Sequence, residues 1–347
     1  MKILELNFAK NWRGGERQTI YNCQGFIAEN QQVFLLCRQG SVLETIAIST
    51  GIRFKSFKNI PGLILFLLLH GHEFDVLHAQ TSHILTYCIL TKPFHRRRVL
   101  FSRRIDFVPK GFITQKKYQL ADFRVGVSTA VVRIVEQFSQ RKTYLISDIA
   151  VAETLNKTRA VKWLESKGIS QSNTIIGTTA ALVQHKDPLT LVNAIARVAK
   201  IKDDFIFLHF GSGELTLTVS DRIKELGLEK IYLIGGFDEK VIDFFSIFDI
   251  FVMSSEQEGL GSSVLDAFLY QVPVVSTNAG GLSDLIADGR GISCPVHDPE
   301  AIARGIITVM NSSNTAPDLT KKAHDFVKAN HSMQYISQRY LDLIRRT

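Results

Sequence analysis

The chain reads as an α/β protein of two βαβ domains with parallel sheets, facing each other across a ligand cleft. Three observations predict this. Its 347 residues exceed what one hydrophobic core usually organises, so two domains of roughly 150–200 residues are expected. Short apolar, β-rich runs alternate along it with helix-length stretches, and parallel neighbours need a helix-length crossover between them. Segments such as DIFVM (249–253) and VPVVS (272–276) are short and nearly uniformly apolar, as strands buried on both faces are.

In the first half, strands are expected near Ile3–Phe8, Val33–Cys37, Arg53–Phe57, Asp75–His78, Val99–Ser102 and Phe123–Val127, with amphipathic helices over Arg17–Glu29 and Ile84–Lys92. The second half repeats the scheme. Its strands are expected near Ile175–Ala181, Phe205–Phe210, Ile231–Ile234, Ile250–Met253 and Val272–Ser276, and its helices over Pro188–Lys200, Thr218–Leu226, Val241–Phe248 and Ser262–Tyr270. The polar stretch Glu153–Asn173, ending in the loop residues Gly168 to Asn173, reads as the joint. The expected division is therefore 1–165, 166–330 and a C-terminal amphipathic helix, 331–347, packing back on the N-terminal domain.

Composition is that of an ordinary globule, 45% hydrophobic and 21% charged, which excludes collagen-like, coiled-coil and disordered classes. The opening run Lys2 to Leu6 is a strand pattern without a basic leader or cleavage site, so a signal peptide is not expected. The most apolar run, Ile60 to Leu69, is too short to span a bilayer, which takes about 20 residues. Cys23, Cys37, Cys88 and Cys294 form no CxxC pair and fit free thiols in a reducing compartment. A cytoplasmic location is expected, with peripheral attachment to the inner face of the cytoplasmic membrane compatible with the charge. That charge is +8, with a pI near 9.3. Part of it lies in His95-Arg96-Arg97-Arg98, Arg103-Arg104 and Lys116-Lys117. Charge alone does not choose among anionic lipid, nucleic acid, a phosphorylated substrate and a merely solvated face. No nucleic-acid-binding module is recognisable.

The most informative stretch runs from Met253 to Ile286: strand, glycine-bearing loop, helix, turn, strand, then a glycine pair opening another helix. Glu258 lies in the loop, and Asp266 follows on the helix with seven residues between them. Gly259 and Gly261 allow a tight turn and close ligand approach. The amides of Leu260, Gly261, Ser262 and Ser263 then form an anion site at a helix N-terminus, suited to a diphosphate. Asp266, about one turn in, is placed to accept hydrogen bonds from ribose hydroxyls. Taken singly, Ser262 is equally readable as an N-cap and Asp266 as an acid favoured by the helix dipole.

Together these elements resemble family 4 glycosyltransferases, retaining enzymes with the GT-B fold of two Rossmann-like domains. The resemblance rests on Ser255, Glu258-Gly259-Leu260-Gly261, Asp266 where the family usually has Glu, Pro273-Val274-Val275 and Gly280-Gly281. Three further stretches are similar to the same family. Arg13-Gly14-Gly15-Glu16-Arg17 resembles its glycine loop opening the first helix, offering amides to a phosphate. Ala181 to Asp187 resembles the loop that carries a diphosphate-binding lysine, here Lys186. Gly211-Ser212-Gly213-Glu214 resembles the turn lining the nucleotide pocket.

The resemblance implies a nucleotide-sugar donor (UDP-, GDP- or ADP-linked), with Glu258 and Lys186 as the catalytic pair. Gly14, Gly15, Gly211, Gly213, Leu260, Gly261, Ser262, Ser263 and Asp266 are the expected donor-binding positions. It also implies an acceptor proton taken by the departing phosphate oxygen, so no enzymic nucleophile is required. No permanent cofactor and no metal are expected, since the chain has no Asp-x-Asp, no HExxH and no clustered ligands.

Two departures from the family stand out. The arginine usual six residues before the lysine is Ala180, and the usual first-domain histidine is missing from Leu100 to Asp106. Arg103, Arg104 and His83 are the acceptor-side candidates, with His78 beside them. The basic N-terminal half, with Phe101, Phe107 and Phe112, points to an anionic membrane surface. A lipid-linked saccharide or lipopolysaccharide core is therefore the expected acceptor class. A GT-B nucleotide-sugar epimerase and a catalytically weakened nucleotide-sugar-binding subunit are the alternatives.

Overall fold

Among the residues described by the computed structural model (1–10, 12–170, 172–311 and 315–346), seven strands form one parallel sheet and six form another. The expected loop residue Gln171 and the expected domain end at Thr347 lie outside them. The first sheet holds β1 (Lys2–Leu6), β2 (Gln32–Arg38), β3 (Phe54–Phe57), β4 (Val76–Ala79), β5 (Arg98–Arg103), β6 (Phe123–Gly126) and β7 (Tyr144–Leu145), in the order β3-β2-β1-β4-β5-β6-β7. The second holds β8 (Thr174–Thr179), β9 (Phe205–Phe210), β10 (Tyr232–Gly236), β11 (Ile250–Met253), β12 (Val274–Thr277) and β13 (Ile292–Cys294), in the order β10-β9-β8-β11-β12-β13. Both are Rossmann-like sheets, and the strand order reverses direction between β1 and β4 and between β8 and β11. At such a switch point the loops leaving two adjacent strands diverge and open a crevice beyond the strand ends.

Burial explains the uniform strands. Every residue of β4, β11 and β12 is buried, as helices on both faces of a parallel sheet require. The edge strands β7 and β13 have two and three residues and are too short to leave a periodic pattern. Ile60–His70 is a helix whose start is set by the Asn59 side chain, which accepts from the Gly62 amide, with a proline in the first turn. Val241–Ser246, expected to be α-helical, is a 3-10 helix that presents Asp243, Phe244 and Phe245 inward.

The chain divides into two units, 1–149 with 330–347, and 150–329. The boundary thus precedes the expected one at 165/166, because the supposed joint contains a helix, Lys157–Ser166, that belongs to the second unit. Arg159 of that helix pairs with Asp238 and Asp243, and Trp163 packs its ring against Phe210 and Phe244. A helix fastened to one unit by these side-chain contacts is no linker. The C-terminal helix, Met333–Arg345, lies within the first unit, where Tyr340 meets the Phe26 ring edge-on at 6.0 Å.

The seat of that last helix depends on one glycine. A Cβ placed on Gly25, in helix Gly14–Ala28, would lie 2.0 Å from Ser337 Oγ and 3.0 Å from Met333 Cγ. Gly25→Ala is therefore expected to lower the unfolding free energy by about 1–3 kcal/mol, the usual cost of overpacking. Urea unfolding of the full chain checks this, and an unchanged midpoint would refute the packing argument.

Candidate functional site

The residues singled out in the second half collect at the carboxyl ends of β8, β9, β11 and β12. After β8 the chain runs through Ala180 to Val183, makes a 3-10 turn over Gln184–Lys186 and enters helix Pro188–Ala199. Asp187 adopts the left-handed conformation, φ 45°, and caps that helix by accepting from the Thr190 amide. After β11 the chain runs through Ser254 to Gly261 into helix Ser262–Leu269. These two loops flank the β8/β11 switch point, and they are bonded to each other. The amides of Glu256 and Gln257 donate to the His185 carbonyl at 3.0 and 3.3 Å. The Ser254 hydroxyl reaches the Lys186 and Asp187 carbonyls, each at 3.0 Å.

That framework brings Lys186 and Glu258 together. The ammonium forms an ion pair with Glu258 Oε2, and Ser255 Oγ lies 3.4 Å from the same oxygen. Both side chains are largely shielded, with 18% and 16% exposure. The Glu258 carbonyl accepts from the Gly281 amide at 2.8 Å, which ties the loop after β12 to the same place. The Thr277 hydroxyl donates to the Ser255 carbonyl. Helix Ser262–Leu269 is capped by Gly261 at φ 108°, with no side-chain cap. Ser262 is thus the first helical residue rather than the N-cap. The bonds closing this turn begin at Val264 and Leu265, both donating to the Gly261 carbonyl. The amides of Ser262 and Ser263 are left as the orphan donors of a helix start. Ser263 Oγ donates to the Thr179 carbonyl at the end of β8. Leu260 is buried, and Asp266 is 8% exposed.

The glycines of the site fall into two kinds. A Cβ on Gly211, at φ 152°, would sit 1.9 Å from the Ala180 carbonyl oxygen, and one on Gly213 would sit 2.2 Å from that of Leu182. A Cβ on Gly281 would meet the Gly259 carbonyl oxygen at 2.3 Å, and one on Gly261 would meet Leu282 Cδ2 at 2.6 Å. All four are required by packing of the protein against itself, three of them by backbone and Gly261 by the Leu282 side chain. Gly15, near the start of helix Gly14–Ala28, has nothing within 4 Å of its would-be Cβ. The fold leaves that position free.

Two residues that escaped the sequence reading support these loops. His209, buried at the end of β9, has Nε2 3.0 Å from the Ala180 carbonyl and Nδ1 2.7 Å from the Tyr232 hydroxyl. The carbonyl only accepts, so Nε2 carries the proton and Tyr232 donates to Nδ1. Burial lowers the His209 pKa to about 4, against the opposing pull of the Ala180 carbonyl. His297, after β13, places Nδ1 2.8 Å from Asp187 Oδ2 and Nε2 3.4 Å from Glu256 Oε2. It spans the loops that carry Lys186 and Glu258. A lone histidine in a turn has no local pattern that would have marked it.

In the first unit the candidates are placed differently. His78 is fully buried, with Nδ1 donating to Glu5 Oε1 at 2.7 Å and Nε2 2.8 Å from Ser102 Oγ. Its expected approach to an acceptor is thus ruled out by its position in the core. Arg103 is buried and donates to the Tyr118 hydroxyl and the Phe107 carbonyl. Arg104 is held by Asp148 at 2.8 Å and by Gln80 at 2.5 Å. Both guanidiniums thus have internal partners. His83 is exposed in the first turn of helix Ser82–His95, 3.3 Å from the Tyr87 hydroxyl. Gly14 and Gly15 open their helix with Arg13 as N-cap and the Glu16 carboxylate accepting from the Arg13 amide. All four cysteines are free and buried. Among the described residues no three His, Cys, Asp or Glu side chains gather as a metal group, and no helix is long and apolar enough to cross a membrane.

Two outcomes are expected. Gly213→Ala should cost stability, because the backbone of the β8 loop must move, whereas Gly15→Ala should stay within about 0.5 kcal/mol of the parent; paired urea melts compare them. The second concerns acid. An unfolded histidine titrates near 6.5 and folded His209 near 4, so its contribution is complete above pH 6.5 and lost as pH falls through 4. His209→Gln is expected to flatten the acid limb of stability by up to about 3 kcal/mol. Unfolding curves at pH 7, 5.5 and 4.5 decide it.

Residues 161–328 match glycosyl transferases group 1. The lipopolysaccharide core biosynthesis glycosyltransferase LpsE of Rhizobium meliloti is 27% identical over 171 residues, 49% of either chain. An uncharacterized glycosyltransferase of Methanocaldococcus jannaschii is 24% identical over 319 residues, 83% of this chain and 79% of the relative. The first of these matches spans about half the relative's length. Among solved structures, Anabaena HepE in complex with UDP and glucose superposes with a TM-score of 0.85 over the whole of both chains, at 18% identity. The second unit thus matches glycosyl transferases group 1 over residues 161–328, in a chain with the two-unit, Rossmann-like GT-B fold.

Proposed function

We propose that this chain is a retaining, metal-independent glycosyltransferase. It moves a sugar from a nucleotide-sugar donor to a saccharide acceptor in the synthesis of lipopolysaccharide or another cell-surface glycan. The observation that supports this most is the Lys186–Glu258 ion pair at the β8/β11 switch point, where open α/β sheets bind ligands. An arriving diphosphate offers Lys186 a second, more highly charged partner. As the ammonium turns to it, Glu258 is released to accept hydrogen bonds from the donor sugar. The amides of Ser262 and Ser263 add neutral donors for phosphate oxygens, and Asp266 takes the ribose. Lys186 then stabilises the charge that grows on the leaving nucleotide. HepE was solved with UDP and glucose, so UDP-sugars are the first donors to offer. The relative named for lipopolysaccharide core biosynthesis supports a glycan acceptor.

A second reading, a nucleotide-sugar-binding subunit without turnover, is favoured by Ala180. The position where the family carries a second phosphate-binding cation holds a buried methyl group, its carbonyl fastened by His209.

Nucleotide-sugars incubated singly with the protein in the presence of chelator separate the two. Transfer predicts thermal stabilisation and slow nucleotide release with one donor; stabilisation without release supports the binding subunit. Glu258→Ala should abolish release, and near-parental turnover in that variant would overturn the assignment. Lys186→Ala should lower kcat/KM by roughly 10²–10³-fold, the usual loss for one transition-state charge partner.

A further inference from the structure

Five exposed apolar residues of the first unit fall on one short segment. Between the end of β5 and the first turn of helix Phe112–Leu120, Ile105 is 50% exposed, Phe107 44%, Val108 67%, Phe112 70% and Ile113 81%. Single exposed apolar residues are ordinary. A contiguous group rimmed by polar residues marks an interaction surface.

The segment is anchored in this presentation. Buried Arg103 holds the Phe107 carbonyl and the Tyr118 hydroxyl from beneath. Gln115 ties the following helix down, its amide donating to the Gly111 carbonyl and its side chain to the Phe138 carbonyl. Lys117 donates to the Ser82 carbonyl at 2.8 Å and to Thr86 Oγ1 at 3.0 Å. These bonds hold the segment from the inner side, while its apolar side chains stay exposed.

Charge identifies the occupant. Lys110 and Lys116 are exposed within the group, and Lys116 Nζ lies 5.2 Å from the Phe112 ring centre. Between Arg103 and Lys117 the only acid is Asp106. A second copy of the chain, packed face to face, would set these lysines against like charge, which disfavours it. A bilayer with anionic headgroups accepts both halves of the surface, apolar side chains in the acyl boundary and lysines at the phosphates.

We propose that residues 105–117 dock this chain on an anionic lipid bilayer, with Phe107, Val108, Phe112 and Ile113 inserted and Lys110 and Lys116 at the headgroups. Phe101 and Arg103, which the sequence placed among the surface residues, take no direct part, since both are buried. The segment leaves the carboxyl end of β5, and its Lys117 is bonded beside His83. An acceptor carried by a lipid would thus be presented at the edge where acceptor contacts are expected. The proposal reaches beyond sugar transfer, and its test reads binding rather than turnover.

The full chain is mixed with vesicles of phosphatidylcholine containing phosphatidylglycerol, or of phosphatidylcholine alone, and sedimented at low and at high salt. Binding to the anionic vesicles is expected at low salt, weakened by high salt. Phe112→Ser with Ile113→Ser should reduce it at least about tenfold, as should Lys110→Glu with Lys116→Glu. Phe237→Ser, a change at an exposed apolar residue of the second unit, should leave it unchanged. All these positions are exposed, so thermal melts should match the parent. No sedimentation with anionic vesicles at low salt, or undiminished binding by the Phe112/Ile113 variant, would overturn the proposal. So would a dimer that this variant dissociates.

Discussion

The reversal of strand order between β8 and β11 is the constraint on which the candidate site depends. The chain leaves β8 toward β9 on one side and leaves β11 toward β12 on the other, so the two loops part above adjacent strands. Lys186 comes from one loop and Glu258 from the other. Their ion pair closes the gap, while the Ser254 hydroxyl and the Glu256 and Gln257 amides hold the backbones in register. A shielded pair of this kind is weak support for stability, because desolvation offsets much of the attraction. In the proposed function an arriving diphosphate takes the place of Glu258 at Lys186, and the freed carboxylate accepts from hydroxyls of the donor sugar.

The same loops show how one residue type serves two purposes. Gly211, Gly213 and Gly281 are needed because backbone passes within about two to three ångströms of where a Cβ would stand, and Gly261 because the Leu282 side chain does, at a positive φ. They let the βα loops lie against each other. Gly15 meets no such neighbour. A side chain there would meet open space, so packing does not require the glycine.

In the first unit the equivalent strand ends are filled by a buried polar network. Glu5, His78, Ser102 and Tyr340 are linked in sequence, with Gln80 bonded to Glu5 and to Arg104, which pairs with Asp148. Burial pushes the Tyr340 hydroxyl to about 12, so it stays a neutral partner. Because Tyr340 belongs to the C-terminal helix, this network fastens the last segment of the chain to the first strand. Low dielectric makes such a network strong when complete and costly when broken. It also explains why a histidine at a strand end is structural here.

What the sequence determined by itself was whatever local periodicity and local chemistry specify. The alternation of β11, helix Ser262–Leu269 and β12 was legible because each element is long enough to show its period, and Glu258 and Lys186 were legible because fixed spacings surround them. The helix Lys157–Ser166 was hidden, since its polar face disguised the contacts of Arg159 and Trp163 with the second unit. The 3-10 turn at Val241 and the edge strands β7 and β13 were too short to carry a pattern. Only the tertiary structure decided that His78 is core, that Arg103 and Arg104 have internal partners, and that His209 and His297 brace the site. For His78, Arg104, His209 and His297 the physical reason is common: their roles are set by partners 23 to 110 residues away, and neither composition nor spacing records which distant strands a fold makes neighbours.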